Sequence, residues 1–235
     1  MIEVKGLYKH FNKNAVLSDL DLTIANNGIF AILGPNGSGK TTLIKSILGM
    51  VIPDKGEIKV LEENIKGSSN YREKIDYLPQ IANFPTNLKV KELIGMIKDL
   101  RGKSERDEPL IQQFGLEPYL DKKLGNLSGG TKQKVNIILT FMFDSPILIL
   151  DEPTTGLDPL SLIQLKKMIL EEKEQGKTIL ITSHIMSFVE EMADEIVFLL
   201  EGKICFKGAI PELKKLTSQE NLEHAIAALL KKVYV

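Results

Sequence analysis

Apolar positions follow two rhythms along this chain. Residues 28–33 (Gly-Ile-Phe-Ala-Ile-Leu), 147–150 (Ile-Leu-Ile-Leu) and 178–182 (Thr-Ile-Leu-Ile-Thr) are short runs without polar alternation. A strand wetted on one face alternates with a period of two. An unbroken run therefore predicts a strand covered on both faces, as in a parallel sheet between other layers. Leu20, Leu22 and Ile24 do alternate with polar neighbours, which predicts a half-exposed antiparallel strand. Residues 196–200 and 203–206 flank Glu201-Gly202 in the pattern of a hairpin.

Between about 90 and 143 the spacing becomes mostly helical, notably over 91–101 and 135–143. The expected fold is α/β: a parallel sheet, an antiparallel β part near the N-terminus, and a helical lobe inserted over about residues 81–145. Leu162, Leu165, Ile169 and Leu170 are expected to form the apolar face of a later helix, with the charged run 171–174 solvated. One domain over residues 1–216 holds these elements. A helical tail, 217–235, follows, and its stripe of Leu222, Ile226, Leu229 and Leu230 is expected to pack on the core.

Composition changes this picture little. The 235 residues are 43% hydrophobic and 26% charged, as in soluble globular domains. The net charge of -1 supplies no basic field, so no direct nucleic-acid partner is expected. The single cysteine, Cys205, cannot form an intramolecular disulfide, which suits the cytosol, and it lies in an apolar segment as a core residue. The N-terminus lacks the apolar segment of a signal peptide. The longest apolar candidate for a membrane span, 135–143, is short and contains Asn136 and Thr140. Any membrane role is therefore expected to need a separate chain.

The chemistry begins where the first apolar run ends. Gly34-Pro35-Asn36-Gly37-Ser38-Gly39-Lys40-Thr41 matches the P-loop pattern in full, with a helical stretch from Thr42 behind it. Glycines let consecutive backbone N–H groups wrap a phosphate without side-chain clash, and the helix N-terminus adds free donors and a positive dipole end. Lys40 can bridge β- and γ-phosphates, and the Thr41 hydroxyl can ligate Mg²⁺. The second apolar run ends in Asp151-Glu152. In open α/β sheets ligands collect at such strand ends. There Asp151 can hold Mg²⁺ through water, and Glu152 can take a proton from the attacking water.

These features alone also fit a kinase, a GTPase or a helicase. Leu127-Ser128-Gly129-Gly130, followed by Thr131-Lys132-Gln133-Lys134, separates the options. It resembles the signature motif of the ATP-binding-cassette (ABC) family, placed just before the acidic strand as in that family. The resemblance spans nearly the whole chain. Gln80, after the strand-like 75–78, resembles the Q-loop, Gly156-Leu157-Asp158 the D-loop, and His184 the switch histidine. Phe11 resembles the aromatic that stacks on adenine, usually a tyrosine. Thr131 stands where the family most often has glutamine, which leaves the serine and glycines of the motif intact.

The resemblance implies a P-loop ATPase of the ABC type. ATP would be held by residues 34–42, from Gly34 to Thr42, with Phe11 under the base. Thr41, Asp151 and Gln80 would surround Mg²⁺, and Glu152, His184 and Lys40 would be catalytic. Ser128, Gly129, Gly130 and Asp158 would meet the nucleotide of a second copy in a head-to-tail dimer. A transmembrane permease subunit would dock near residues 81–88 and keep the chain on the cytoplasmic face of the membrane. The stretch 127–135, with Tyr77-Leu78-Pro79-Gln80, is similar to bacterial exporter-type ATPases, in particular those that mature the copper enzyme nitrous-oxide reductase.

The alternative reading is a soluble ABC-type ATPase acting on nucleic acid or ribosomes without transport, and the sequence lacks features usual in it and in the other rival classes. ABC-type ATPases acting on nucleic acid or ribosomes carry a long coiled-coil insertion, a second cassette or zinc-binding cysteines; here Cys205 stands alone. A GTPase needs Asn-Lys-x-Asp, and Asn12-Lys13-Asn14-Ala15 lacks the acid. A nucleotide sensor without catalysis has no need of both Glu152 and His184.

Overall fold

The computed structural model describes residues 1–102 and 106–233. In chain order its strands and helices are β1 (Ile2–Phe11), β2 (Asn14–Ile24), β3 (Gly28–Leu33), α1 (Lys40–Ile47), β4 (Lys55–Val60), β5 (Glu63–Asn64), β6 (Ile75–Leu78), α2 (Val90–Arg101), α3 (Asp107–Gln113), α4 (Gly129–Phe141), β7 (Ile147–Asp151), α5 (Pro159–Glu174), β8 (Thr178–Thr182), α6 (Met186–Met192), β9 (Glu195–Leu200), β10 (Lys203–Ala209), α7 (Ile210–Thr217) and α8 (Leu222–Val233).

Two sheets result. One runs β2-β1-β4-β5, the other β10-β9-β3-β8-β7-β6. In the larger sheet β6, β7, β8, β3 and β9 are mutually parallel, and β10 returns antiparallel to β9. The three unbroken apolar runs are β3, β7 and β8, buried at every position at the middle of that sheet. Their alternate residues serve opposite layers. Phe30, Ile32, Ile147, Ile149 and Leu180 pack with the antiparallel sheet and α1. Ile29, Leu148, Leu150, Ile179 and Ile181 pack with the helices of the inserted lobe and with α5 and α6. Continuous apolarity thus reflects two cores sharing one sheet.

On the helical side, Ala31, Leu33, Ile196 and Phe198 meet Leu213 of α7 and Leu222, Ile226 and Leu229 of α8. Each such side chain contributes on the order of 2 kcal/mol when taken from water, so α8 is held by the core of the sheet.

The helix α5 differs from its reading in the sequence. Its buried face is Ser161, Leu165, Met168, Ile169 and Glu172, whereas Leu170 is exposed. Residues 165, 168 or 169, and 172 share one helical phase, so Glu172 is carried inward with the apolar residues. It is 1% exposed and ion-paired with Lys177 and Arg106. The run 171–174 is therefore not a uniformly solvated face. A buried carboxylate needs such partners, and both cations come from other elements.

The parallel strands also fix where chemistry gathers. Asp151 of β7 is in register with Thr182 of β8, which is in register with Ile32 of β3. The chain therefore leaves β3, β6, β7 and β8 at the same edge of the sheet, carrying the P-loop, Gln80, Glu152 and His184.

Candidate nucleotide site

The wall built by the P-loop depends on two close approaches of backbone. Gly34 has φ 148°, and a Cβ there would lie 2.2 Å from the Leu199 carbonyl oxygen. Gly39 has φ 107° and caps α1, and a Cβ there would lie 2.9 Å from the Val16 carbonyl oxygen. Only glycine fits both demands. The helix behind the loop starts at Lys40, two residues before the sequence pattern suggests, so Lys40 and Thr41 sit in its first turn. Lys40 Nζ donates to the carbonyls of Gly34 (2.7 Å) and Pro35 (3.0 Å). Burial lowers the pKa of its ammonium, against the opposing pull of the Glu152 and Asp151 charges. The Ser38 hydroxyl is buried with no hydrogen-bond partner among the described residues.

Opposite stand the ends of β7 and β8. Thr182 Oγ1 donates to Asp151 Oδ1. The Tyr77 phenol bonds to the Asp151 carboxylate; burial and that charge push its pKa up to about 12. Glu152 has φ 50°, the left-handed region that costs a non-glycine residue on the order of 1 kcal/mol or more. Its N–H donates to both the carbonyl and the hydroxyl oxygen of Thr182, each at 3.1 Å. The turn aims its carboxylate outward, where Oε2 meets His184 Nδ1 at 2.8 Å.

These two walls enclose a cavity of about 600 Å³. Of the residues singled out in the sequence, Gly34, the six from Asn36 to Thr41, Thr42, Gln80, Asp151, Glu152 and His184 line it. Pro35 contributes its carbonyl to Lys40. Val16, Thr182 and Ser183 also line it and were not anticipated. Thr182 and Ser183 end the third apolar run beside His184, a usable hint. Val16 comes from the other sheet and leaves no local signal.

The remaining candidates lie outside the cavity. Phe11 is an exposed ring at the β1–β2 hairpin, with Lys9 Nζ 5.3 Å from its centre. Ser128 caps α4: its Oγ accepts from the Thr131 N–H at 3.3 Å and lies 2.8 Å from the Thr131 hydroxyl. Ser128 and Gly129 face solvent. Gly130 abuts the D-loop so closely that a Cβ would lie 2.7 Å from the Gly156 carbonyl oxygen. Asp158 caps α5 by accepting from Ser161 N–H (2.9 Å) and Oγ (2.8 Å), and pairs with Lys134 at 2.8 Å. Lys134 and Ser161 hold its carboxyl well below the usual carboxylate range.

Comparison with known proteins bears on the family and the fold. A family profile described as "ABC transporter" matches residues 17–155. The chain is 33% identical to the lantibiotic transport ATP-binding protein SrtF of Streptococcus pyogenes, over 95% of this chain and 94% of that one. It is 33% identical to the Nod factor export ATP-binding protein I of Burkholderia lata, over 88% of this chain and 70% of that one. A solved structure of an ATP-binding subunit of an ABC transporter superposes with a TM-score of 0.91 at 30% identity, covering 98% of this chain and 99% of the other. A dimeric ATP-binding cassette in a post-hydrolysis state, bound to ADP and Pi, shares the fold with a TM-score of 0.79 at 23% identity, over 89% of this chain and 98% of the other.

Proposed function

The chain belongs to the ABC transporter family as an ATP-binding subunit that hydrolyses ATP, and on that premise we propose that Glu152 is the carboxylate that acts on the attacking water, steadied by His184. The contact between Glu152 Oε2 and His184 Nδ1 at 2.8 Å, in the same cavity as Lys40, carries this reading.

ATP enters with its phosphates on the N–H groups of the P-loop and its base against the exposed ring of Phe11. Lys40 exchanges the Gly34 and Pro35 carbonyls for β- and γ-phosphate oxygens, whose charge offsets the desolvation of its ammonium. The unpartnered Ser38 hydroxyl gains an acceptor. The oxygen donors Thr41, Asp151 and Gln80 share the cavity and suit a small hard cation, so they are the residues for Mg²⁺. Mg²⁺ would neutralise charge on the phosphates. Water attacks the γ-phosphorus, its proton passes to Glu152 Oε2, and the bond to ADP breaks.

The exposed N-terminus of α4 presents Ser128, Gly129 and Gly130 away from this cavity. That orientation supports a head-to-tail pair of cassettes, in which each signature completes the other copy's site beside Asp158. The partner in transport is a transmembrane permease. Its dock is the loop over residues 81–88, where Ile81 is exposed while Phe84 packs inward on the helical core. Among the described residues no helix is long and apolar enough to cross a membrane. Docking then makes the chain peripheral on the cytoplasmic face.

The test is Glu152→Gln, which keeps size and polarity but removes the basic carboxylate. Hydrolysis should fall by about 100-fold or more, in the range typical of a general base, while ATP still binds and an ATP-loaded dimer accumulates on size exclusion. Normal turnover by this variant would sink the assignment.

A further inference from the structure

Asn136 interrupts an apolar helix, and with Gln133 it lies almost wholly inside the protein, 4% and 5% exposed. A buried amide is costly unless it is hydrogen-bonded. These two are three positions apart and therefore share one face of α4. Both spend their donors on proline carbonyls at the site's edge of the sheet. Gln133 Nε2 donates to the Pro153 carbonyl at 3.0 Å, and Asn136 Nδ2 donates to the Pro79 carbonyl at 3.0 Å. Pro153 directly follows Glu152, and Pro79 directly precedes Gln80.

The turn at Glu152 makes the first bond consequential. A residue at φ 50° persists only where its surroundings over-determine it. Thr182 holds the N–H side of Glu152. Gln133 holds the chain on the other side, one residue on. The catalytic turn is thus gripped from both ends, and one grip belongs to the helix that begins at Ser128. Gly130 against Gly156 and Lys134 against Asp158 add further ties between α4 and the loop after β7.

We propose that Gln133 and Asn136 form a paired amide clamp, in which α4 positions Glu152 and Gln80. They are positioning residues, since neither lines the cavity. The clamp makes the signature helix, Gln80 and the catalytic turn move as one body. A nucleotide of a second copy pressing on Ser128 then bears on this chain's own Glu152. The inference rests on the reading of Glu152 given above.

Gln133→Met and Asn136→Leu in the full chain test it, since both fill space and remove the donor. Each should lower kcat about tenfold, the scale of a slightly misplaced catalytic group, while KM and the ATP affinity measured by titration stay within about twofold of wild type. Loss of ATP affinity in step with kcat would mark a merely structural role and overturn the proposal. Wild-type kcat in both variants, beside an inactive Glu152→Gln, overturns the clamp alone. Turnover kept by Glu152→Gln overturns the catalytic reading and the clamp with it. If the apolar variants fail to fold, Gln133→Asn decides. It keeps an amide but falls a methylene short of Pro153, so kcat should drop with KM unchanged, and a wild-type kcat refutes the clamp.

Discussion

Two helices in this molecule begin with glycine-rich sequence, and they end up in opposite circumstances. At α1 the cap is Gly39, with no side chain to take up the free N–H groups. Those donors face a cavity that also holds Lys40, Asp151, Glu152 and His184. At α4 the cap is Ser128, whose hydroxyl already accepts from the Thr131 N–H, and the helix end faces solvent. Any helix N-terminus carries unpaired donors and a partial positive charge. The contrast teaches that this is insufficient for a site. α1 has one because three parallel strands end around it. α4 lacks such walls within its own chain; in the proposed head-to-tail pair a second copy would supply them.

The largest effect should come from the built site. Lys40 is its side-chain cation, so Lys40→Ala should weaken ATP·Mg²⁺ binding on the order of 100-fold, the loss of two charge-assisted hydrogen bonds. Isothermal titration measures it. Near wild-type affinity with normal turnover would erase the distinction between the two helix ends.

The half-site should then fail in a different way. Ser128→Arg puts a long side chain where a second copy's phosphates would have to approach, so homodimers of this variant should be inactive although their P-loops are intact. Mixing Ser128→Arg with Lys40→Ala should restore activity, because one site of each mixed dimer receives both good parts. With half the dimers mixed and sites independent, recovery should be about a quarter of wild type. A tagged pull-down establishes that mixed dimers are present. Normal turnover by the Ser128→Arg homodimer excludes the shared site.

The same contrast explains what was legible in the sequence. The P-loop could be read because its chemistry is contiguous, as could the strands covered on both faces. The hairpin over 196–206 and the half-exposed β2 followed from period and turn residues alone. Glu172 was misjudged because a charge run was weighed as a unit, while helical phase decides each residue separately. One partner, Arg106, lies 66 residues away, and the other, Lys177, sits just past the end of the helix, outside its phase. Thr182 and Tyr77 were missed as supports of Asp151 because their placement depends on the lateral order β8-β7-β6. Periodicity within one strand carries no record of its neighbours. Asn136 read only as a polar interruption of the apolar stretch 135–143 for the same reason.

The smallest effect concerns how Asp151 is held, and it sharpens the comparison by charge. At the signature end Asp158 is fixed by an ion pair with Lys134, open to solvent. At the P-loop end Asp151 is buried and is held by two hydroxyls, Thr182 and Tyr77. Tyr77→Phe should therefore lower kcat only about fivefold, the scale of one hydrogen bond. Because the phenol titrates at about 12, it stays a neutral donor through the working range, and the ratio of variant to wild-type kcat should be flat from about pH 6 to about pH 9. Stability follows with a definite sign. The folded value lies above the ordinary 10.0, so any advantage of Tyr77 over phenylalanine is fully present below pH 10.0 and declines as pH rises toward about 12. Melting curves of the two proteins should therefore converge, or cross, only in that alkaline window. Convergence already at neutral pH would mean that the phenol is not bonded to Asp151, and that Thr182 alone holds the carboxylate.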